Sequence, residues 1–303
     1  MRRSPLEYPS ANGTETVPCK LCGSTAVPLG IKGGRLSKRD FHLHGCLTCQ
    51  FAFVSDPWTD YESIYSEDYY RGLGADPYID YVYESQHALT TIRNYEWQGI
   101  LANVQALTNV GPATRWLDFG CGQGGLLKYC QGRVEANYCG FEEGWVGPEA
   151  SRLGLSIIRH SEFLAHEDPF DIITAIEVFE HIESPMQVFG LLRRLLKPGG
   201  LLFYTTGNPV PHWNRFLDWE YVYPEIHVSY FSPVAMDRVL TQSGFRTRAA
   251  GDLPGYSDII RYKVLKRLGV KNRHPWEAVL PWALISRGID AKLRITGYPV
   301  GTV

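Results

Sequence analysis

Two acids flank a glycine-rich turn in this 303-residue chain. Asp118 stands two residues before Gly120 in the run Trp116-Leu117-Asp118-Phe119-Gly120-Cys121-Gly122-Gln123-Gly124-Gly125, and Glu142 follows 22 residues after Gly120. Glycines let a strand turn at once into a helix and let a ligand touch the backbone there. Gly120, Gly122 and Gly125 also satisfy G-x-G-x-x-G, so a dinucleotide is one candidate ligand. Asp118 argues against it, because a carboxylate at that point repels a pyrophosphate and attracts an ammonium. Glu142 suits a pair of ribose hydroxyls, a need that both kinds of cofactor share.

Histidines supply the candidates for moving a proton, since they titrate near neutral pH. Glu177, Glu180 and His181 stand at i, i+3 and i+4, which puts them on one face if that turn is helical. His181 follows an expected strand, at the carboxyl edge where open α/β sheets bind ligands. It reads as a base, a metal ligand or a residue that shapes the cofactor pocket. His227 ends the aromatic, proline-broken segment Trp219–His227, which suits a lid over an acceptor. Position favours His227 as proton acceptor with Glu225 as its orienter, against a capping or packing histidine before a helix at Ser232.

Four of the seven cysteines form two Cys-x-x-Cys pairs, Cys19/Cys22 and Cys46/Cys49, separated by 23 residues. Each pair sets two thiolates on one tight turn, and two facing turns make a closed tetrahedral site for structural Zn²⁺. Gly23 is expected to allow close backbone approach there. Redox thiols are the alternative reading.

The elements that must position these groups follow from punctuation and period. Residues 1–18 read as a flexible tail, 19–56 as a zinc-ribbon-like domain, 57–110 as a tyrosine-rich helical lead-in and 111–303 as the main α/β domain. Within the last, strands are predicted at Arg115–Phe119, Asn137–Glu142, Leu155–Arg159, Phe170–Glu177, Leu201–Thr206, Phe245–Ala250 and Ala291–Tyr298, with helices between them. Segments 208–230 and 252–289 interrupt this alternation as acceptor-site insertions. The tyrosines between 61 and 95 read mainly as core, with Tyr69, Tyr70 and Tyr81 as candidates to close over a cofactor. A net charge of −2 with 20% charged residues gives no basic excess of the kind nucleic acid demands. The basic stretch from Arg261 to Arg273 reads as a solvated helix face or a dock for an anionic acceptor. No run of 18 apolar residues and no secretory leader is visible, so a cytoplasmic protein without a membrane span is expected.

The runs LDFGCGQGG, GFEE, FDIITAIEVFEHI, LLKPGGLLFYTT and HVSYFSP…LTQSGF resemble, in order, those of class I S-adenosylmethionine-dependent methyltransferases over residues 115–248. The likeness is to the branch holding ubiquinone-biosynthesis O-methyltransferases and sugar or natural-product methyltransferases, while the Cys-x-x-Cys knuckle with its tyrosine-rich lead-in resembles the opening of a group of bacterial methyltransferases that includes deoxysugar C-methyltransferases. The resemblance implies a seven-stranded Rossmann-like sheet with the last strand antiparallel, here Ala291–Tyr298. It implies that Asp118, Gly120, Gly122 and Gln123 surround the methionyl part of the cofactor and that Glu142 holds its ribose. It also implies that Glu162 and Phe163 lie near adenine and that Glu177 belongs to the cofactor pocket. The expected activity is methylation of a small molecule, an O-methylation of a sugar, nucleotide-sugar, polyketide or quinone-type acceptor. A ribosomal or transfer RNA methyltransferase using the knuckle, and a non-catalytic binding module, are the competing expectations.

Overall fold

The computed structural model describes residues 15–77, 79–248 and 253–295. Its strands, in chain order, are β1 (Val17–Pro18), β2 (Thr25–Gly33), β3 (Asp40–Gly45), β4 (Phe51–Val54), β5 (Arg115–Phe119), β6 (Asn137–Phe141), β7 (Ile157–Ile158), β8 (Phe170–Ile176), β9 (Leu196–Thr205) and β10 (Ser229–Phe231). They form two five-stranded sheets, ordered β1-β2-β3-β4-β10 and β7-β6-β5-β8-β9. The chain divides into two compact units that do not follow the linear partition at residues 56 and 110. One unit joins residues 1–78, 177–193 and 205–247; the other joins 79–176, 194–204 and 248–303.

The second unit carries the parallel sheet. β5 lies between β6 and β8, parallel to both, and β7 extends the β6 side. β5 reads Arg-Trp-Leu-Asp-Phe with its last four residues buried, as a strand covered on both faces must be. Helix Arg93–Leu107 lays Trp97, Ile100, Leu101 and Val104 against Trp116, Ile172 and Phe203. Helices Tyr256–Arg267 and Trp282–Ile295 pack Tyr262, Leu265 and Trp282 with Ile92.

Among the described residues this sheet has five strands where seven were expected. Residues 245–248 form no strand, and 249–250 of the expected sixth strand lie outside the described residues. The expected last strand is replaced by the end of helix Trp282–Ile295, and residues 296–298 lie outside the described set. Trp282 and Ile285, three apart, pack into one cluster, the spacing of a helix and not of a strand. The basic stretch is also not a bare solvated face. Arg261 stacks on Tyr95 at 3.6 Å from the ring centre, and Lys263 reaches the buried Glu96 at 3.5 Å.

The first unit carries the antiparallel sheet, and it is no separate ribbon. Its fifth strand, β10, comes from the segment expected to be an insertion of the main domain. Ser229, Tyr230 and Phe231 pair with Phe53, Ala52 and Phe51. Leu29, Phe41, Leu43, Ala52 and Val54 pack with Trp213, Phe216, Val222, Val228 and Tyr230. Burying each large side chain of such a core contributes about 1.5–3 kcal/mol, so residues 15–54 and 210–231 stabilise one another. Residues 17–18 of the expected tail are the edge strand β1, paired with Thr25 and Ala26. No helix among the described residues is long and apolar enough to cross a membrane.

Candidate functional sites

In the parallel-sheet unit, the chain leaves β5 with Gly120 and Cys121 both donating to the Phe141 carbonyl, at 2.9 and 3.0 Å. Gly120, Gly122 and Gly124 then take positive φ, and helix Gly125–Gln131 begins. Gly122 has φ +54°, and a Cβ there would meet nothing within 4 Å. Glycine is thus favoured by the backbone, and the open space before it is what a ligand pressed to the turn would occupy. The Gly122 and Gly144 N–H groups donate to the two Glu142 oxygens at 2.9 and 2.8 Å, which ties the end of β6 to the loop. Gln123 is buried, and its Oε1 has no hydrogen-bond partner among the described residues.

Asp118 is buried at the end of β5 and accepts from the Thr174 hydroxyl at 2.7 Å. Burial pushes its carboxyl up to about 7; the Thr174 bond opposes this and the Glu142 charge adds to it. A carboxyl held at the edge of ionisation in a dry place is a partner for a cation. Phe163 is buried and stacks on Phe141 with ring centres 4.0 Å apart. Glu162 lies at the surface, ion-paired with Arg159.

The other unit holds two constellations. Cys19 and Cys49 bring their Sγ atoms to 3.6 Å, as do Cys22 and Cys46, and all four sulfurs lie within 4.8 Å of one another. A regular tetrahedron with Zn–S bonds of about 2.3 Å has edges of about 3.8 Å, so the donor set fits Zn²⁺. Both knuckles are built alike: Gly23 donates to the Cys19 carbonyl and Gln50 to the Cys46 carbonyl, with φ +72° and +58°. What Gly23 supplies is this left-handed turn, because a Cβ there would meet nothing within 4 Å. Burial raises the Cys46 thiol, and its contact with Cys19, then burial, raises Cys49. Held as thiolates, four sulfurs this close would need a cation between them to coexist.

The second constellation gathers Glu177, Glu180, His181, Tyr221 and His227. Glu177 follows the last residue of β8 at φ +54°, an uncommon conformation for a side-chain-bearing residue. Tyr221 sets its hydroxyl 3.1 Å from Glu177 Oε2 and against Glu180 Oε1, and accepts from the Gly207 N–H. Thr206 donates to the second Glu180 oxygen at 2.8 Å. Burial first, then the Glu177 charge, pushes the Glu180 carboxyl up to about 8. Burial pushes the His181 imidazole down to about 4.

The two histidines, expected to play different parts on different elements, stand together with ring centres 4.9 Å apart. Each turns Nδ1 to a backbone carbonyl: His227 to Tyr221 at 2.6 Å, His181 to Ile226 at 3.0 Å. A carbonyl only accepts, so both Nδ1 atoms carry a proton, and His181, its imidazole held down by burial, keeps a lone pair on Nε2. Glu180, His181 and His227 offer ligand atoms within 4.8 Å of one another. Tyr65, from helix Tyr61–Ile64's C-cap, reaches His181 Nδ1 with its hydroxyl at 3.2 Å.

Glu225 is not brought to the His227 ring as its orienter. Its oxygens accept instead from the backbone N–H groups of Arg35, Leu36 and Ser37 at 2.6–3.1 Å. Burial acts to raise its carboxyl, but these donors hold it below the usual value. Tyr69 and Tyr70 are buried, edge to face with one another, and Tyr81 faces Arg93. Tyr221 and Tyr65 were not singled out from sequence. Each is one tyrosine among many, and only folding sets it beside a histidine or an acid.

A family model described as a methyltransferase domain matches residues 89–250, more than half of the chain. The chain belongs to the methyltransferase-domain family. The chain is similar to the ubiquinone biosynthesis O-methyltransferase of Pseudomonas aeruginosa, 35% identical over 105 residues, covering 31% of this chain and 45% of that one. The enzyme of the same name from Xanthomonas campestris pv. campestris is 35% identical over 113 residues, covering 33% and 46%. The chain thus spans about half the length of the curated relatives it matches. Among solved structures, phosphoethanolamine N-methyltransferase 2 of Haemonchus contortus, in complex with S-adenosyl-L-methionine, aligns over 81% of this chain and 58% of that one. The TM-score is 0.51 at 15% identity, a likeness of fold. The five-stranded parallel sheet and the turn that follows β5 are therefore the Rossmann-like core of this methyltransferase domain.

Proposed function

We propose that the protein transfers a methyl group from S-adenosylmethionine to a hydroxyl of a small molecule, of the sugar, nucleotide-sugar, polyketide or quinone class. The observation that carries this reading is Asp118, a buried carboxyl beside an open glycine turn and an unsatisfied Gln123 amide oxygen. These three groups fit an ammonium, a close-lying chain and a donor, and the Asp118 carboxyl would repel a pyrophosphate. When bound, the cofactor supplies a methyl group on a sulfonium, a leaving group that needs no further activation. Gly122 admits it to the backbone, and Glu142, already positioned by two N–H donors, is the ribose-side acid. His227 Nε2 takes the proton of the acceptor hydroxyl while Nδ1–H stays on the Tyr221 carbonyl. The Glu177 carboxylate, hydrogen-bonded to Tyr221, is the nearby acid that favours the imidazolium that results. Zn²⁺ on Cys19, Cys22, Cys46 and Cys49 has four protein ligands and no open position, and serves folding.

A second reading of the histidine cluster rests on the approach of Glu180, His181 and His227, which would suit a divalent cation that binds the acceptor oxygen. The deciding experiment is a methyl-transfer screen of the four acceptor classes with the cofactor, run with and without added Mg²⁺. Methyl transfer without added Mg²⁺ supports the base. Transfer that needs the cation supports the second reading, and none in any class overturns the proposal.

A further inference from the structure

We infer that Glu225 is a positioning residue, through which the tip of the β2–β3 hairpin in the cysteine-bearing sheet sets the ring of His227. The inference rests on the reading of His227 given above. Residues 223–228 are pinned on both sides by the N-terminal strands. On one side Glu225 accepts three backbone N–H groups from Arg35, Leu36 and Ser37, between β2 and β3. On the other, Val54 donates to the Val228 carbonyl at 3.0 Å, and β10 then pairs with β4. Between these anchors lie the contacts that fix the histidines. The His227 N–H donates to the Tyr223 carbonyl at 2.7 Å, and the Ile226 carbonyl faces His181 Nδ1.

A carboxylate buried at 2% exposure that takes three backbone donors from a loop about 190 residues away in sequence is a built joint. Releasing it frees the Tyr223–Ile226 turn, and with it the angle at which His227 presents Nδ1 to the Tyr221 carbonyl. The hairpin tip is shaped for the joint as well. A Cβ on Gly34 would fall 2.6 Å from Glu225 Oε1 and 2.8 Å from the Phe41 ring, so the tip closes on the carboxylate only with glycine there.

The test is two-dimensional ¹⁵N–¹H NMR of the full chain with ¹⁵N-labelled histidine, which reports the tautomer of each ring without any acceptor. In the native protein His227 should be a single Nδ1–H tautomer. In Glu225→Ala it should become a mixture of tautomers, with a smaller change in Glu225→Gln, which keeps one accepting oxygen. Gly34→Ala should reproduce the change with Glu225 still present. Zinc content should stay at one per chain and affinity for S-adenosylmethionine within about twofold. An unchanged His227 spectrum in Glu225→Ala and Gly34→Ala overturns the inference. So does loss of zinc and of the native near-ultraviolet signal in all three variants, which would make the joint purely structural. Because the readout is a tautomer and not turnover, this inference and the proposed reaction fail separately.

Discussion

The glycine turn and the histidine cluster are built on opposite plans. The turn is local: Asp118, Gly120, Gly122 and Gln123 fall within six residues, and of their partners Thr174 lies on β8 and Glu142 directly follows β6, the strands either side of β5. The cluster is assembled from helix-flanking Tyr65, from the turn after β8 and from residues 221–227, and the segment 223–228 is held by residues 35–37 and 54. A local site can be damaged only where it stands. A stitched site can be damaged from far away, and the two should respond differently to the same treatment.

The largest difference should appear on removing the metal of the four-cysteine site. Structural zinc sites are worth roughly 10–16 kcal/mol in small domains at pH 7, more than most whole domains have to spare. Metal analysis should find one zinc per chain. Cys46→Ser should abolish cooperative unfolding of the unit that holds the histidines, while S-adenosylmethionine still raises the melting temperature of the other. A cofactor site lost together with the zinc would break the comparison.

Next in size is His227→Ala, which should lower turnover by about 10²–10⁴, the range for a general base, with cofactor affinity unchanged by calorimetry. An equal loss of cofactor affinity would move His227 into the cofactor site. On the other side of the comparison, Gly122→Val should fill the open space at the turn and remove cofactor binding. Glu142→Ala should weaken it by about 1–3 kcal/mol, as for a lost charge-assisted hydrogen bond. Neither should disturb zinc content or the histidine tautomers, and isothermal titration with metal analysis checks both.

The smallest effect concerns pH. Asp118 ionises at about 7 in the folded protein, well above its unfolded value near 4. The folded state therefore binds the extra proton, so this group's share of stability falls as pH rises from about 4 to about 7. A cation that binds beside Asp118 favours the ionised form, so binding should release a proton near neutrality. Affinity for S-adenosylmethionine should rise several-fold between pH 6 and pH 8 and lose that dependence in Asp118→Asn. A flat profile in the native protein would show that Asp118 does not face the ammonium.

What could be read from sequence follows the same division. The turn after β5 was legible because its glycines, its acid and the next strand's acid are near neighbours in the chain. The cysteine site was legible because each half is a four-residue motif. The lost joint at Glu225 was not, since its donors are backbone N–H groups that no residue type announces. Nor was β10: Ser229, Tyr230 and Phe231 are buried alike and show no alternation, so nothing marked them as a strand. Residues 291–295 misled for another reason. Ala-Lys-Leu-Arg-Ile alternates like a strand, but it ends a helix whose buried positions begin at Trp282.

The pairing of β10 with β4 also fixes an order of events during synthesis. β4 is buried along its whole length, yet the strand that covers its free edge is encoded about 175 residues later. At a translation rate of 5–20 residues per second, that edge waits roughly 9 to 35 s on the ribosome for its neighbour. For that interval the nascent chain carries an open, apolar strand edge, the kind of surface to which other chains add themselves. The cysteine knuckles at either end of β2 and β3 emerge early enough to load metal first, so zinc supply during translation would decide whether that edge waits in a folded hairpin or a loose one.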